Sequence, residues 1–175
     1  NIKTSTHVAI SVPNVEETAK FYEKIVGLET TERIDGAVFL RCNQDHHCLA
    51  IYPGKRALHH LGLEVVSEEA LGEARDTLAA RGFHPESRDY PEPGHGSGLC
   101  YRDPDGNRVE LYAGMQTLEE PLKPCEVRPI RFGHITLMTA DLPRCVAFYT
   151  DVLGFRVSDA VGDSVVWMRW NQQHH

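Results

Sequence analysis

The sequence predicts an α+β fold built from βαβββ modules, two of them paired into a curved eight-stranded half-barrel and followed by a truncated second domain. The first observation behind this is an internal repeat. His7-Val8-Ala9-Ile10 and Phe21-Tyr22-Glu23-Lys24-Ile25-Val26-Gly27-Leu28 return 127 positions later as His134-Ile135-Thr136-Leu137 and Phe148-Tyr149-Thr150-Asp151-Val152-Leu153-Gly154-Phe155. One offset shared by a strand-like segment, a helix-like segment and the glycine after it marks a duplicated structural unit. The second observation is a weaker copy between them. Leu58-His59-His60-Leu61-Gly62-Leu63-Glu64-Val65-Val66 again starts a strand at a histidine, 53 positions after His7, and is followed by a helical pattern that ends near Arg81-Gly82.

In the first module, Val8 to Val12 is strand-like, and Asn14 with Glu17 three residues on has the spacing of a helix capping box. The helix carries Val15, Ala19, Tyr22 and Val26 on one face and stops at Gly27, a residue type that tolerates the left-handed conformation of a helix end. Three short strands follow near 29–34, 37–42 and 47–52, with a turn at Asp35-Gly36 between the first two. The second module reads as a strand over 60–66, an N-cap at Ser67, a helix to Ala80 and a stop at Gly82. Its later strands are less regular, because Pro91-Glu92-Pro93-Gly94-His95-Gly96-Ser97-Gly98 is too rich in glycine and proline for strand interior. Asp103-Pro104-Asp105-Gly106 makes a tight turn before the strand Arg108-Val109-Glu110-Leu111-Tyr112. The expected domains are therefore 1–113, a proline-containing linker over 114–130, and the first module of a second domain over 131–175. Residues 171–175 match 43–47 at an offset of 128, so the chain is expected to end inside its third repeat.

The net charge of -7, without clustered Lys and Arg, argues against a nucleic-acid or anionic-membrane surface. No apolar run approaches the roughly 18 residues needed to cross a bilayer, and the opening residues lack the apolar centre of a signal peptide. The five cysteines show no CxxC spacing, which points to a reducing, cytoplasmic setting rather than a disulfide framework.

Four strands from one module cannot close a cup, but two modules side by side can. His7 and His60 then occupy equivalent first-strand positions and face the same cavity. With Glu110 they offer two imidazoles and one carboxylate from three strands, a set that binds Fe(II) or Mn(II) on one face and leaves the opposite face for a chelating substrate and oxygen. Glu110 is chosen because it sits among Val109, Leu111 and Tyr112, where a buried carboxylate needs a compensating charge. The competing reading has Glu110 pointing outward, as alternate strand residues do, and His7 and His60 as hydrogen-bonded structural histidines. His47, at the entrance of the strand that closes the first module, could take a proton; a plain polar pair with His46 is the alternative. His95, between two glycines, could lean over the pocket or stay solvated, and His59 should alternate away from His60. Phe39, Tyr101 and Tyr112 are the aromatic candidates near the cavity.

The segment from His134 to Asp159, with Asp141-Leu142-Pro143 before its helix, resembles the start of the catalytic domain of type I extradiol ring-cleavage dioxygenases of the vicinal oxygen chelate superfamily. Asp103 to Tyr112 resembles that family's glutamate-ligand strand, and Asn43 to Ala50 its His-His strand. The resemblance implies Fe(II), with Mn(II) as the variant, and a small aromatic vicinal diol cleaved by O2 in aromatic catabolism. It also implies a homo-oligomer and second-sphere roles for His47 and its repeat equivalent His175. The family's metal usually sits in the second of two domains. Here His7, His60 and Glu110 match all three ligand positions in the first domain, and His134 matches only the first of them in the second. Cys100 stands where the family usually has a tyrosine near the substrate, with Tyr101 beside it. A glyoxalase-type isomerase, a metal-dependent thiol transferase and a non-catalytic ligand-sequestering domain share the same scaffold.

Overall fold

Two strands that begin the N-terminal modules pair with each other at the centre of one sheet. The computed structural model describes residues 2–86 and 92–170. In chain order these form β1 (Ile2–Val12), α1 (Val15–Phe21), β2 (Glu29–Ile34), β3 (Ala37–Arg41), β4 (Leu49–Pro53), β5 (Ala57–Val65), α2 (Glu68–Ala80), β6 (Gly98–Arg102), β7 (Arg108–Ala113), α3 (Leu142–Ala147), β8 (Arg156–Val161) and β9 (Val165–Arg169). The large sheet is mixed and unclosed, in the order β2-β3-β4-β1-β5-β7-β6. β1 runs antiparallel to β5 and parallel to β4, and β5 runs parallel to β7. Among the described residues seven strands form this sheet, and an antiparallel bridge from Glu86 to Cys100 stands at the free side of β6, where an eighth would pair.

The local signals form as chemistry dictates. Asn14 Oδ1 accepts from the Glu17 N–H at 3.1 Å, capping the helix, and Asn14 Nδ2 donates to the Glu17 carboxylate at 3.0 Å, so the acid meets the cap through its side chain. After Phe21 the helix widens into a π turn over Tyr22–Val26 and stops at Gly27 with φ +80°. A Cβ at Gly27 would also collide with the Val127 carbonyl, so two separate constraints select glycine there. Asp35 and Gly36 both have positive φ, the two-residue turn that matches the twist of the β2–β3 hairpin.

Strand alternation then sorts the two faces. Val38, Leu40, Leu49 and Ile51 pack with Ala19 on the α1 side, while Leu61, Leu63, Val65, Val109 and Leu111 pack with Ala70, Leu71 and Leu78 of α2. The intervening residues, including Ala9, Phe39, Ala50, Tyr52, His60, Gly62, Glu110 and Tyr112, are left for the other face. The outward reading of Glu110 therefore fails, because Val109 and Leu111 already occupy the helix side. Tyr101 also belongs to the helix-side core and not to the cavity, since it pairs with Val109 in the ladder.

The third module departs from its expected βαβββ start. Residues 133–139 form no strand, and His134 is exposed on this irregular stretch. Within the described residues β8 and β9 pair only with each other, so nothing offers the 134–137 segment a hydrogen-bonded ladder. What docks is the helix: Phe148 meets Phe83 at 5.1 Å, the Tyr149 hydroxyl donates to Asp103 at 3.1 Å, and Cys145 contacts Asp105 at 3.0 Å. No described helix is long and apolar enough to cross a membrane, and all five cysteines are free thiols.

Arg41, buried at the edge of the first module, donates to Glu29 at 2.8 Å and to the Glu120 carbonyl at 3.1 Å. Burial pushes the Glu29 carboxyl up, but hydrogen bonds from Arg41 and the Lys123 N–H outweigh it and hold the group below its ordinary value. A depressed carboxyl stabilises the fold above its unfolded pKa and loses that contribution as pH falls through the folded value. Glu29→Gln should therefore lower the urea midpoint at pH 7, with the gap to the parent closing as pH drops below about 4.3. A gap that stays constant to pH 3 would contradict this assignment.

Candidate metal centre

Gly62 lies between His7 and Glu110 in the sheet. It pairs with His7 across the antiparallel β1–β5 ladder and with Glu110 across the parallel β5–β7 ladder. His60, two residues earlier on β5, shares its face. Because Gly62 has no side chain, the His7 ring lies over its Cα, in space that any Cβ would fill. The sheet thus brings three donors to one point. The Nε2 atoms of His7 and His60 are 2.9 Å apart, and Glu110 Oε2 lies 3.9 Å from the first and 3.5 Å from the second. All three side chains are wholly buried, and their ligand atoms fall within 4.8 Å of one another. Two imidazoles and a carboxylate at these separations fit one divalent ion.

The histidine before the fourth strand belongs to the same cavity. His47 is fully buried, its ring 4.5 Å from that of His7 and 5.2 Å from that of Phe39. Its Nδ1 lies 3.0 Å from Nδ1 of His46, whose Nε2 reaches Glu32 at 3.2 Å. Burial, reinforced by His46, pushes the His47 imidazole down to about 3 and His46 also downward. The side chain of His95 is buried too, which replaces the solvated-loop reading: its ring stacks on Tyr112 at 4.2 Å and its Nε2 lies 3.8 Å from Glu110 Oε2. Burial pushes the Tyr112 hydroxyl up, with Glu64 and Glu110 adding to the effect, so it keeps its proton.

His59 does not simply alternate away. A register shift between Ala9 and Ile10 makes it the extra residue of a bulge, and it ends with Nδ1 2.8 Å from that of His60 and its ring stacked on Tyr52 at 4.2 Å. His134 stays outside this group, and His175 lies outside the described residues.

Glu92, which no periodicity points to, also enters the cavity. Its carboxylate is fully buried, with Oε2 accepting from the Tyr52 hydroxyl at 2.5 Å and Oε1 3.2 Å from His47 Nε2. It comes from an irregular glycine- and proline-rich stretch in which periodicity carries no information about facing. An acid between Pro91 and Pro93, just before a histidine flanked by glycines, was the available signal. The segment after β7 helps to place it. The Gln116 N–H donates to the Gly94 carbonyl at 2.6 Å while the Gln116 carbonyl accepts from the His46 N–H at 2.8 Å, tying the two walls of the cavity together.

Comparisons place this geometry among known proteins. The family model described as "Glyoxalase/Bleomycin resistance protein/Dioxygenase superfamily" matches residues 4–111 and 131–175. A curated relative, "Metapyrocatechase" of Geobacillus stearothermophilus, is 31% identical over 173 residues, which cover 90% of this chain and 53% of that protein. Among solved structures, "BphC, a halotolerant catechol dioxygenase" superposes with a TM-score of 0.86 at 28% identity, covering 99% of this chain and 63% of its own. The "Mn(II)-bound glyoxalase from Novosphingobium aromaticivorans" superposes with a TM-score of 0.87 at 26% identity, covering 99% and 60%. The chain spans about half the length of the curated relative.

Proposed function

Because the chain belongs to the glyoxalase/bleomycin resistance protein/dioxygenase superfamily, we propose that it is part of a metal-dependent extradiol dioxygenase whose first domain, 1–113, holds Fe(II) or Mn(II) between His7, His60 and Glu110. The carrying observation is the convergence of these three fully buried groups, with the two Nε2 atoms 2.9 Å apart. In this reading residues 114–130 link to a second domain that starts at 131, and His134 and His175 belong to that domain's own site.

The bound ion would supply Lewis acidity to a chelating diol and the means of making O2 reactive. The chain supplies the rest. His7 and His60 are held ring against ring, at 5.1 Å, so their nitrogens arrive already oriented. His47 Nε2 faces the cavity interior, 3.2 Å from Glu92 Oε1, and the buried, neutral ring is placed to hydrogen-bond a diol oxygen and orient it. Phe39 and Tyr112 wall the cavity beside His47 and His95 and exclude water from the reacting atoms. The reaction is insertion of both atoms of O2 with cleavage of a catecholic ring beside its vicinal diol.

The test is anaerobic Fe(II) or Mn(II) loading followed by air and a panel of catechols. A yellow ring-opened product formed by the parent and lost in His60→Ala is the expected result. Stoichiometric metal binding without turnover of any catechol would move the reading to a glyoxalase-type isomerase, a possibility favoured by the Mn(II)-bound structural neighbour.

A further inference from the structure

We propose that Glu32 and His46 are positioning residues that fix the tautomer of His47, so that its Nε2 turns a lone pair to the cavity and accepts a hydrogen bond from a substrate hydroxyl. The substrate half rests on the function proposed above, whereas the tautomer does not depend on it.

A line of contacts runs from the surface inwards. A register shift between Thr30 and Glu32 adds a residue to β2, and Glu32 then stands opposite Phe39 and shares its cavity face. The Glu32 side chain is 41% exposed, while those of His46 and His47 are buried. Glu32 Oε2 lies 3.2 Å from His46 Nε2, and His46 Nδ1 lies 3.0 Å from His47 Nδ1, both as hydrogen bonds. His46 is held in this pose. Its backbone N–H donates to the Gln116 carbonyl at 2.8 Å, the Phe39 ring stands 6.1 Å away, and Gly94 packs so close that any Cβ there would strike the imidazole.

A neutral imidazole has one N–H and one bare nitrogen, and a carboxylate only accepts. Burial pushes both rings down, His47 to about 3, so both are neutral at pH 7. Facing Glu32, His46 carries its proton on Nε2 and leaves Nδ1 bare. His47 then donates from Nδ1, and its Nε2 is the bare nitrogen. Glu92 does not impose the opposite order: its Oε1 lies 3.2 Å from His47 Nε2, but the two are not aligned for a hydrogen bond. Two hydrogen bonds thus carry the acceptor character of a partly exposed carboxylate to a nitrogen inside the cavity.

The experiment is long-range proton–nitrogen correlation NMR of the metal-free protein with nitrogen-15 labelled histidine, which separates a bare ring nitrogen from a protonated one. The parent should show His47 protonated at Nδ1 and bare at Nε2. Lysine offers a donor in place of an acceptor, so Glu32→Lys should reverse the order and put the His47 proton on Nε2. Glu32→Gln retains a carbonyl acceptor and should keep the parent order, and Glu32→Ala should give a mixture, which keeps the proposal testable if Glu32→Lys fails to fold by circular dichroism. Titration of the Mn(II)-loaded proteins with 4-nitrocatechol reads the consequence: Glu32→Lys should bind it about threefold to tenfold more weakly, the worth of one hydrogen bond, at unchanged Mn(II) affinity by EPR. A parent with its His47 proton on Nε2, or a Glu32→Lys spectrum with the parent order, would overturn the proposal. So would a Glu32→Lys protein whose order reverses while 4-nitrocatechol binds as to the parent, since Nε2 would then meet no substrate hydroxyl. A parent that binds neither Mn(II) nor 4-nitrocatechol would strike the proposed function, while the histidine spectra would still decide the tautomer.

Discussion

Glu110→Gln is expected to weaken Mn(II) or Fe(II) binding by at least about 100-fold while leaving the metal-free protein folded. Glutamine keeps the shape of the side chain and its capacity for hydrogen bonds but loses the negative charge. Glu110 is 0% exposed and its Oε2 lies within 3.9 Å of both His7 and His60 nitrogens, so its charge acts in a desolvated setting where a nearby cation gains most from it. The linkage is measurable without turnover. An ion present at 1,000 times its Kd stabilises the folded state by about 4.1 kcal/mol, and a 100-fold weaker site loses about 2.7 kcal/mol of that. The melting temperature of the parent should therefore rise on adding metal, while that of Glu110→Gln should rise by no more than about a third as much. An equal rise in both proteins would show that Glu110 is no ligand.

How far the sequence reached depends on what kind of pattern carries each feature. The shared cavity of His7 and His60 was legible because a repeat must place them equivalently, whereas the inward side of Glu110 is settled only where Val109 and Leu111 pack on the helix side of the sheet. The N-cap at Asn14, the Asp35-Gly36 turn and the stop at Gly27 are local backbone chemistry and read directly from a few residues. Features that depend on breaks in periodicity did not read. His59 joins the cluster only because a bulge suspends alternation, and Glu92 arrives from a stretch with no period at all, where His95 too could be given only as leaning over the pocket or solvated. The segment at His134 has the residues of a first strand but no ladder among the described residues, so strand propensity alone did not make it one.

The steric half of the site gives the last expected result. Gly62→Ala should remove metal binding as thoroughly as loss of a ligand, although it alters no donor and no charge. A Cβ at position 62 would land on the His7 ring, closer than any non-bonded contact allows, meeting Cε1, Nδ1 and Nε2 together. The ring has little room to retreat, because His47 at 4.5 Å, His60 at 5.1 Å and Tyr112 at 5.4 Å surround it. Overpacking of this kind destabilises by about 1 to 3 kcal/mol, and the displaced Nε2 should cost at least about 100-fold in Mn(II) affinity, or 2.7 kcal/mol. Gly72→Ala on α2 is the matched control: a Cβ there meets nothing within 4 Å, and the helix should gain about 0.5 to 1 kcal/mol. A double-mutant cycle isolates the cause, since the stability lost by Gly62→Ala should largely vanish in a His7→Ala background, where the colliding ring is gone. If the penalty persisted there undiminished, or if Gly62→Ala bound Mn(II) like the parent, the glycine would not be what makes room for His7.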